Sequence, residues 1–418
     1  MPTVSTNILP RRLSSDFWKF WTGQAISNLG GAITSFALPL LIFKLTGSAL
    51  NLALAVIITV LPYLLFGLII GTWVDQVDRK CLMILTDIAR ALVIASIPLL
   101  AALNLLNVWE IYAASFISAT LSIGFNAAEF AAIPSLVGQN DLVRANGRIE
   151  ASYSVITILG PFLGGLLLVV IPLPQLLLFD ACSFLISAAS LWIIRMSFNI
   201  DNGEKKVATN LRQDMLEGVR YITGHQITRN LIIMLVLINF ASITASTQII
   251  LFAKQWLHAS DTEVGLLYSA GSVGVIVFSL AAAHLRNHLS LGKVMLGGLM
   301  LEGLMTSALA LSHWYWSALP LWALRSGGSI LFSITSLSML QIIVPNSLLG
   351  RVRSVARVLA WSSAPLGALV GSFAIERTQN VGLVYGVIGV IVSLIPLAFS
   401  FTSLGHTEDY LPQESASK

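Results

Sequence analysis

The sequence predicts an all-α integral membrane protein with twelve transmembrane helices in two six-helix bundles. Apolar residues make up 56% of the 418 positions, and charged residues only 11%. Soluble domains carry about 25% charged residues, so this composition is far outside their range. Stretches of some twenty apolar residues also recur along the whole chain. These observations exclude a disordered protein, a collagen-like protein and a soluble enzyme.

Each predicted span follows from the rule that about 20 apolar residues in a helix cross ~30 Å of hydrocarbon. The first six spans lie at 18–43, 51–73, 82–103, 109–131, 149–171 and 174–195. The second six lie at 229–252, 262–284, 291–312, 314–340, 350–375 and 381–403. The polar first 16 residues include Arg11 and Arg12, so we expect span one, rather than a cleaved signal peptide, to direct insertion.

The orientation follows from lysine and arginine, which are concentrated in short cytoplasmic loops. With both termini placed in the cytoplasm, most of the 24 basic residues lie on the inner side. The outer loops then hold only Lys44, Lys254 and Arg377. The pattern therefore predicts that both the N-terminus and the C-terminus are cytoplasmic.

The longest inner connection divides the chain into two halves. In residues 211–222, apolar side chains recur at helical spacing among charged ones, which predicts an amphipathic helix at the cytoplasmic surface. Weak similarity between the halves indicates an internal repeat with a substrate path between them. The predicted parts are an N-terminal bundle at 1–196, a linker at 197–228, a C-terminal bundle at 229–403 and a tail at 404–418.

The connection after span two carries a glycine, an aspartate and two basic residues at fixed spacing: Gly71, Asp75, Arg79 and Lys80. This segment resembles the cytoplasmic signature of the major facilitator superfamily. The resemblance implies that Asp75 latches the two halves together near the start of span eleven, where Arg351 lies. The alternative is that these charges only set the topology.

Span five contains Gly160, Pro161, Gly164 and Gly165, a set similar to the element associated with exporters of that superfamily. Proline bends a helix, and glycine lets helices pack closely. The resemblance implies export rather than import. The alternative is close helix packing with no bearing on direction.

Over all twelve spans, the chain is most similar to the subgroup that includes macrolide-efflux and enterobactin-export proteins. That resemblance implies a monomeric secondary transporter in the bacterial plasma membrane. It would export an amphiphilic small molecule by alternating access, with protons as the coupling ion. A siderophore or lipid exporter of the same fold is an alternative, and a membrane sensor or scaffold that transports nothing is a more distant one.

Ionisable residues inside apolar spans are costly and need a function. Glu302 and Arg325 lie near the middle of spans nine and ten. They are predicted to form either a fixed ion pair or an ion pair that opens during transport. Asp180 in span six is predicted either to carry the coupled proton or to lie in water. Glu129 in span four is a further candidate for proton coupling, and its alternative role is a structural pair with Arg148 in span five.

Polar residues on one face of a membrane helix favour an interior cavity, because lipid would penalise them. Their alternative function is hydrogen bonding between helices. The candidates on span one are Gln24, Ser27, Asn28, Gly31 and Ser35, and those on span seven are Asn239, Ser242 and Ser246. An inner charge network is predicted to contain Asp87, Arg90, Arg148 and Arg351.

Several other classes of function have no support in the sequence. The basic residues are too few and scattered for a nucleic-acid groove. The histidines and the two cysteines lack metal-ligand spacing, and no nucleotide-binding or hydrolase motif occurs. We therefore expect neither an enzyme nor a bound cofactor or metal.

Overall fold

The computed structural model describes residues 13–74, 76–137, 141–199 and 211–405. Within these ranges, twelve helices are long and apolar enough to cross a membrane. The helices of the first half are α1 Ser15–Thr46, α2 Ala49–Val74, α3 Arg79–Ala102, α4 Val108–Val137, α5 Leu142–Leu167 and α6 Leu177–Ile193. Those that follow are α7 Leu211–Gly224, α8 Gln226–Thr247, α9 Ile249–Gln255, α10 Asp261–His288, α11 Leu291–Leu311, α12 Tyr315–Ile343, α13 Asn346–Thr378 and α14 Val381–Ser400.

The predicted all-α membrane fold is confirmed, and each predicted span coincides with one helix except the seventh, which covers two. Several helices extend beyond the apolar stretches that predict them, whereas α6 and α14 are shorter than theirs. Helix α3 begins at Arg79 rather than at 82, and α5 begins at Leu142 rather than at 149. Hydropathy detects only the part of a helix that matches hydrocarbon, so polar turns at a helix end are missed.

The seventh predicted span is divided into two helices at Gln248. This residue has φ −93° and ψ 11°, which interrupts the regular geometry between α8 and α9. Its buried side-chain Nε2 donates to the carbonyl of Ala49 at 2.8 Å and to the hydroxyl of Ser372 at 2.7 Å. The break is therefore fixed by hydrogen bonds to α2 and α13.

The described residues group into two compact units. The first unit comprises those of 1–37, 59–160 and 171–204, and the second comprises those of 38–58, 161–170 and 205–418. The units are divided differently from the predicted halves, since 38–58 and 161–170 group with the second unit. In the first unit α3 packs between α4 and α6, and in the second α11 packs between α12 and α14.

Within the predicted linker, α7 lies against the start of α13. The carboxylate of Glu217 accepts from the Arg351 guanidinium at 2.5 Å, and the Tyr221 hydroxyl donates to the carbonyl of Ile343 at 3.3 Å. Partial burial raises the pKa of Tyr221. The apolar side chains of Met215 and Leu216 remain exposed.

Candidate functional site

A polar cavity of about 320 Å³ lies in the first unit among α1, α3, α4 and α5. The predicted stripe on α1 lines it, because its spacing places the five residues on one helix face. From the other helices, Arg90, Glu129 and Tyr153 contribute ionisable groups. The lining residues are Gln24, Ser27, Asn28, Gly31, Ala32, Ser35, Arg90, Phe125, Asn126, Glu129, Tyr153, Ile156 and Thr157.

Glu129 lies where this cavity meets a second one of about 520 Å³. The two cavities share Asn28, Asn126, Glu129 and Tyr153. The second cavity extends to Phe130, whose side chain is 82% exposed. The carboxylate of Glu129 therefore borders a continuous space large enough for a small organic molecule.

The predicted pair between Glu129 and Arg148 is not formed. The Arg148 guanidinium instead lies 4.6 Å from the centre of the Trp18 ring. The backbone carbonyl of Arg148 accepts a hydrogen bond from the indole N–H of Trp21. Among the described residues, Glu129 has no salt bridge. The carboxylate of Glu129 therefore borders the cavity without a salt-bridge partner among the described residues.

Arg90 lies near the middle of α3. Its Nη1 is 3.8 Å from Oδ1 of the fully buried Asp87. The guanidinium also lies 4.0 Å from the centre of the Phe184 ring on α6. The two charges thus lie against each other within α3, and their position relative to the cytoplasmic surface stays a prediction.

Asp180, in the first turn of α6, is buried and does not line the cavity. The Ser183 hydroxyl lies 3.4 Å from its Oδ1. A Cβ on Gly30 of α1 would lie 2.8 Å from the Asp180 Cα, so the two helices are in close contact. The carboxylate is also close enough to Arg90 to interact with it electrostatically, a partner that sequence spacing does not indicate.

A separate cavity of about 260 Å³ lies in the second unit, where Asn239, Ser242 and Ser246 line it as a group. It also contains a stripe of serines on α12, at 329, 333 and 336, which the sequence analysis overlooked. Their helical spacing was visible in the sequence. Serines thus supply most of the polar residues that line this cavity.

Glu302 and Arg325 form a buried ion pair at the wall of this cavity of the second unit. Arg325 Nη2 lies 3.4 Å from Glu302 Oε1, which also accepts from the Ser242 hydroxyl at 2.7 Å. The same Nη2 donates to the Ser246 hydroxyl at 3.1 Å. Among the described residues, Glu302 Oε2 and Arg325 Nε have no hydrogen-bond partner.

The two units use the same charges in exchanged positions. In the first unit the arginine, Arg90, lies on the third span and Glu129 lies on the fourth. In the second unit Glu302 lies on the ninth span and Arg325 on the tenth. Each unit thus presents an acid and a base from neighbouring helices, with their order reversed.

Comparison with known proteins identifies the family. The family described as transmembrane secretion effectors, of the major facilitator superfamily, matches residues 9–416. The chain belongs to this family. It is a transporter and a multi-pass protein of the bacterial plasma membrane rather than an enzyme. No group of three metal-ligating side chains that could hold an ion occurs among the described residues.

Relatives of this transporter carry efflux names. Macrolide efflux protein A of Streptococcus pyogenes is 24% identical over 65% of this chain and 67% of its own length. The multidrug efflux pump Tap of Mycolicibacterium fortuitum is 24% identical over 93% of both chains.

Solved structures show the same fold. The nucleoside transporter NupG, as its D323A mutant, aligns with a TM-score of 0.75 at 11% identity, covering 93% of this transporter and 100% of that chain. A bacterial homologue of the iron transporter ferroportin, in an inward-facing state, aligns with a TM-score of 0.71 at 16% identity, covering 93% and 99%. At such identities the likeness shows the fold alone.

The signature after span two is only partly described, since Asp75 lies outside the described residues. A Cβ on Gly71 would meet no atom of the described residues within 4 Å, so this glycine does not make a close helix contact with them. Arg79 donates to the carbonyl of Phe198 at 3.2 Å, and Lys80 donates to the carbonyl of Ile194. The two basic residues thus bind the backbone that follows α6.

The element in span five places two of its glycines in close helix contacts. A Cβ on Gly160 would overlap Ala32 of α1, inside the first unit. A Cβ on Gly165 would lie 2.6 Å from the Cα of Gly265 on α10, inside the second unit. Gly164 is also buried, and Pro161 lies between these contacts within α5. The element therefore permits two backbone-to-backbone approaches five residues apart.

Proposed function

We propose that this transporter exports a cationic amphiphilic small molecule, of the drug or macrolide class, in exchange for protons. The proposal places both termini in the cytoplasm and assumes a monomer that works by alternating access. Glu129 carries it, as a carboxylate without a salt bridge among the described residues, at the junction of two connected cavities. The efflux names of the relatives support the direction and the substrate class.

The exchange follows from what one carboxylate can bind. An ionised Glu129 attracts a cation, and Phe125 and Tyr153 offer aromatic surface to its apolar part. A protonated Glu129 has no charge to offer, so proton and substrate compete for one site. Protonation from outside and substrate binding from inside would then favour opposite orientations of the cavity.

Everted membrane vesicles from cells that express the protein test this proposal. Ethidium and erythromycin serve as cationic probes, and a protonophore is added after accumulation has reached its plateau. We expect the accumulated probe to be released on addition of the protonophore. Accumulation that does not change would remove proton coupling.

Replacing Glu129 with glutamine tests the site itself. Losing the interaction with a charged group costs about 1.5–3 kcal/mol, so we expect probe binding to weaken by about 10- to 150-fold. Glu110→Gln is the matched control, because Glu110 lies in the first turn of the same helix and outside the cavity. Equal binding by the two variants would contradict the role of Glu129.

An anionic substrate such as a siderophore is the second candidate, and Arg90 favours it. The guanidinium lines the first cavity with 17% of its side chain exposed. Loss of siderophore secretion on gene deletion, restored by the wild-type gene but not by Arg90→Gln, would favour this candidate over the cationic one.

A further inference from the structure

Two serines on α12 present hydroxyl groups to the cavity of the second unit. Ser329 and Ser333 lie one turn apart on the helix face that lines this cavity. Serine in a helix commonly donates to a carbonyl of the preceding turn, as Ser336 does to Ser333 at 3.1 Å and Ser338 does to Ile334 at 2.9 Å. Within the described ranges, no hydrogen bond involves the hydroxyl of Ser329 or of Ser333. Both hydroxyls are therefore available to a bound molecule.

The carboxylate of Glu302 lacks a hydrogen-bond donor at the same cavity. Its Oε1 accepts from the Ser242 hydroxyl at 2.7 Å, but its Oε2 has no partner among the described residues. The side chain is only 1% exposed and lines the cavity. A buried acceptor without a donor is costly, so a ligand that donates a hydrogen bond here would be stabilised. The cavity thus offers an acceptor beside two hydroxyls, which can donate or accept.

The charges at this cavity already balance. Among the described residues, Glu302 is the one charged residue that lines it, and the Arg325 guanidinium lies 3.4 Å from its carboxylate. A charged ligand would therefore bring an uncompensated charge into a membrane-spanning bundle, which is strongly unfavourable. A neutral ligand avoids that cost. The side chains of Leu235, Ile238 and Phe332 add apolar surface to the wall.

We propose that this cavity is a subsite for an uncharged, hydroxyl-bearing group of the substrate, such as a sugar ring. A hydroxyl of that group donates to Glu302 Oε2, and others exchange hydrogen bonds with Ser329 and Ser333. Pockets for whole drug-sized ligands measure about 300–1,000 Å³, so a cavity of about 260 Å³ suits one part of such a molecule. This subsite rests on the proposed export of an amphiphilic molecule and adds the chemistry of its uncharged part.

Saturation-transfer NMR on the purified protein in lipid nanodiscs measures this binding, with the signal of empty nanodiscs subtracted. The probe is 4-nitrophenyl β-D-glucopyranoside, and its reference is 4-nitroanisole, which has the same aromatic ring without the sugar. We expect Ser329→Ala/Ser333→Ala to weaken glucoside binding by about 5- to 150-fold, because two neutral hydrogen bonds are lost. Binding of 4-nitroanisole should be equal in both proteins. The double variant should unfold at the wild-type temperature, because neither hydroxyl has a partner among the described residues.

Ser338→Ala is the matched control, because Ser338 lies on the same helix, bonds to that helix and is not part of the cavity lining. It should bind the glucoside as the wild type does. The requirement for a neutral ligand has its own probe, 4-nitrophenyl β-D-glucuronide, which adds a carboxylate to the same sugar ring. We expect the glucuronide to bind at least about tenfold more weakly than the glucoside.

Equal glucoside binding by the double variant and by Ser338→Ala would overturn the subsite. Saturation transfer to the glucoside no greater than to 4-nitroanisole would overturn it too, since the cavity would then hold only water. A lower unfolding temperature of the double variant would assign the two hydroxyls to the fold instead, and equal binding of glucoside and glucuronide would refute the neutral ligand.

The outcomes also separate the subsite from the proposed exchange. If glucoside binding depends on the two serines but vesicles release no probe on addition of the protonophore, the subsite stands and the exchange fails. If the vesicles respond but the double variant binds the glucoside like the wild type, the subsite alone fails.

Discussion

A methyl group added at Gly165 tests the close contact between α5 and α10. The new Cβ would lie 2.6 Å from the Cα and 3.3 Å from the carbonyl carbon of Gly265. Carbon atoms pack best at about 3.5–4.0 Å, so the overlap is roughly 1 Å. Both partners are backbone atoms, which cannot rotate away as a side chain could. The two helices must therefore move apart.

The expected cost of Gly165→Ala is that of overpacking, about 1–3 kcal/mol. If the contact exists in only one orientation of the transporter, the same energy lowers the population of that orientation by about 5- to 150-fold. We therefore expect a lower unfolding temperature in detergent and a lower transport rate in vesicles.

Gly297→Ala is the matched control, because a Cβ on Gly297 would meet no atom within 4 Å in the middle of α11. Alanine should there be neutral or stabilising by about 0.5–1 kcal/mol. The double variant Gly165→Ala/Gly265→Ala should cost less than the sum of the two single changes, since one methyl group already separates the helices. If Gly165→Ala unfolds at the same temperature as Gly297→Ala and transports normally, the contact has no energetic role.

Two further predictions concern helix ends and surface charge. Glu376 accepts from the Ser48 hydroxyl at 2.5 Å and from the amide of Leu50 at 3.1 Å, at the start of α2. Because a carboxylate there compensates the positive helix terminus, Glu376→Gln should cost about 0.5–2 kcal/mol in thermal unfolding, and an unchanged transition would contradict this. The pair of Arg351 and Glu217 is exposed, so Arg351→Ala should cost less than about 1 kcal/mol, with the difference vanishing in high salt; a larger loss would mean that the pair anchors α7.

The twelve helices could be predicted because the bilayer imposes one length and one polarity on every span. Their ends could not, because a helix continues through polar turns that hydropathy does not count. Helix α3, for example, begins at Arg79, three residues or about 4.5 Å before the span predicted from hydropathy.

Side-chain partners were harder to predict than helices. The polar stripe on α1 was expected at a cavity because its spacing defines a face within one helix. Glu129 was expected to pair with Arg148, its neighbour in the next span. The Arg148 guanidinium instead packs against the ring of Trp18, which is distant in the sequence. The contacts of an arginine depend on the packing of several helices, and no periodicity within one helix reports them.

The carboxylate of Glu129, at the junction of the two cavities, also determines how the membrane potential acts on the proposed exchange. Moving one elementary charge across 100 mV is worth about 2.3 kcal/mol. If Glu129 exchanges one proton for one monovalent cation, the bound charge is equal in both directions and the voltage has no effect. A neutral or divalent substrate makes the cycle electrogenic, so electrical recording would distinguish substrates by valence.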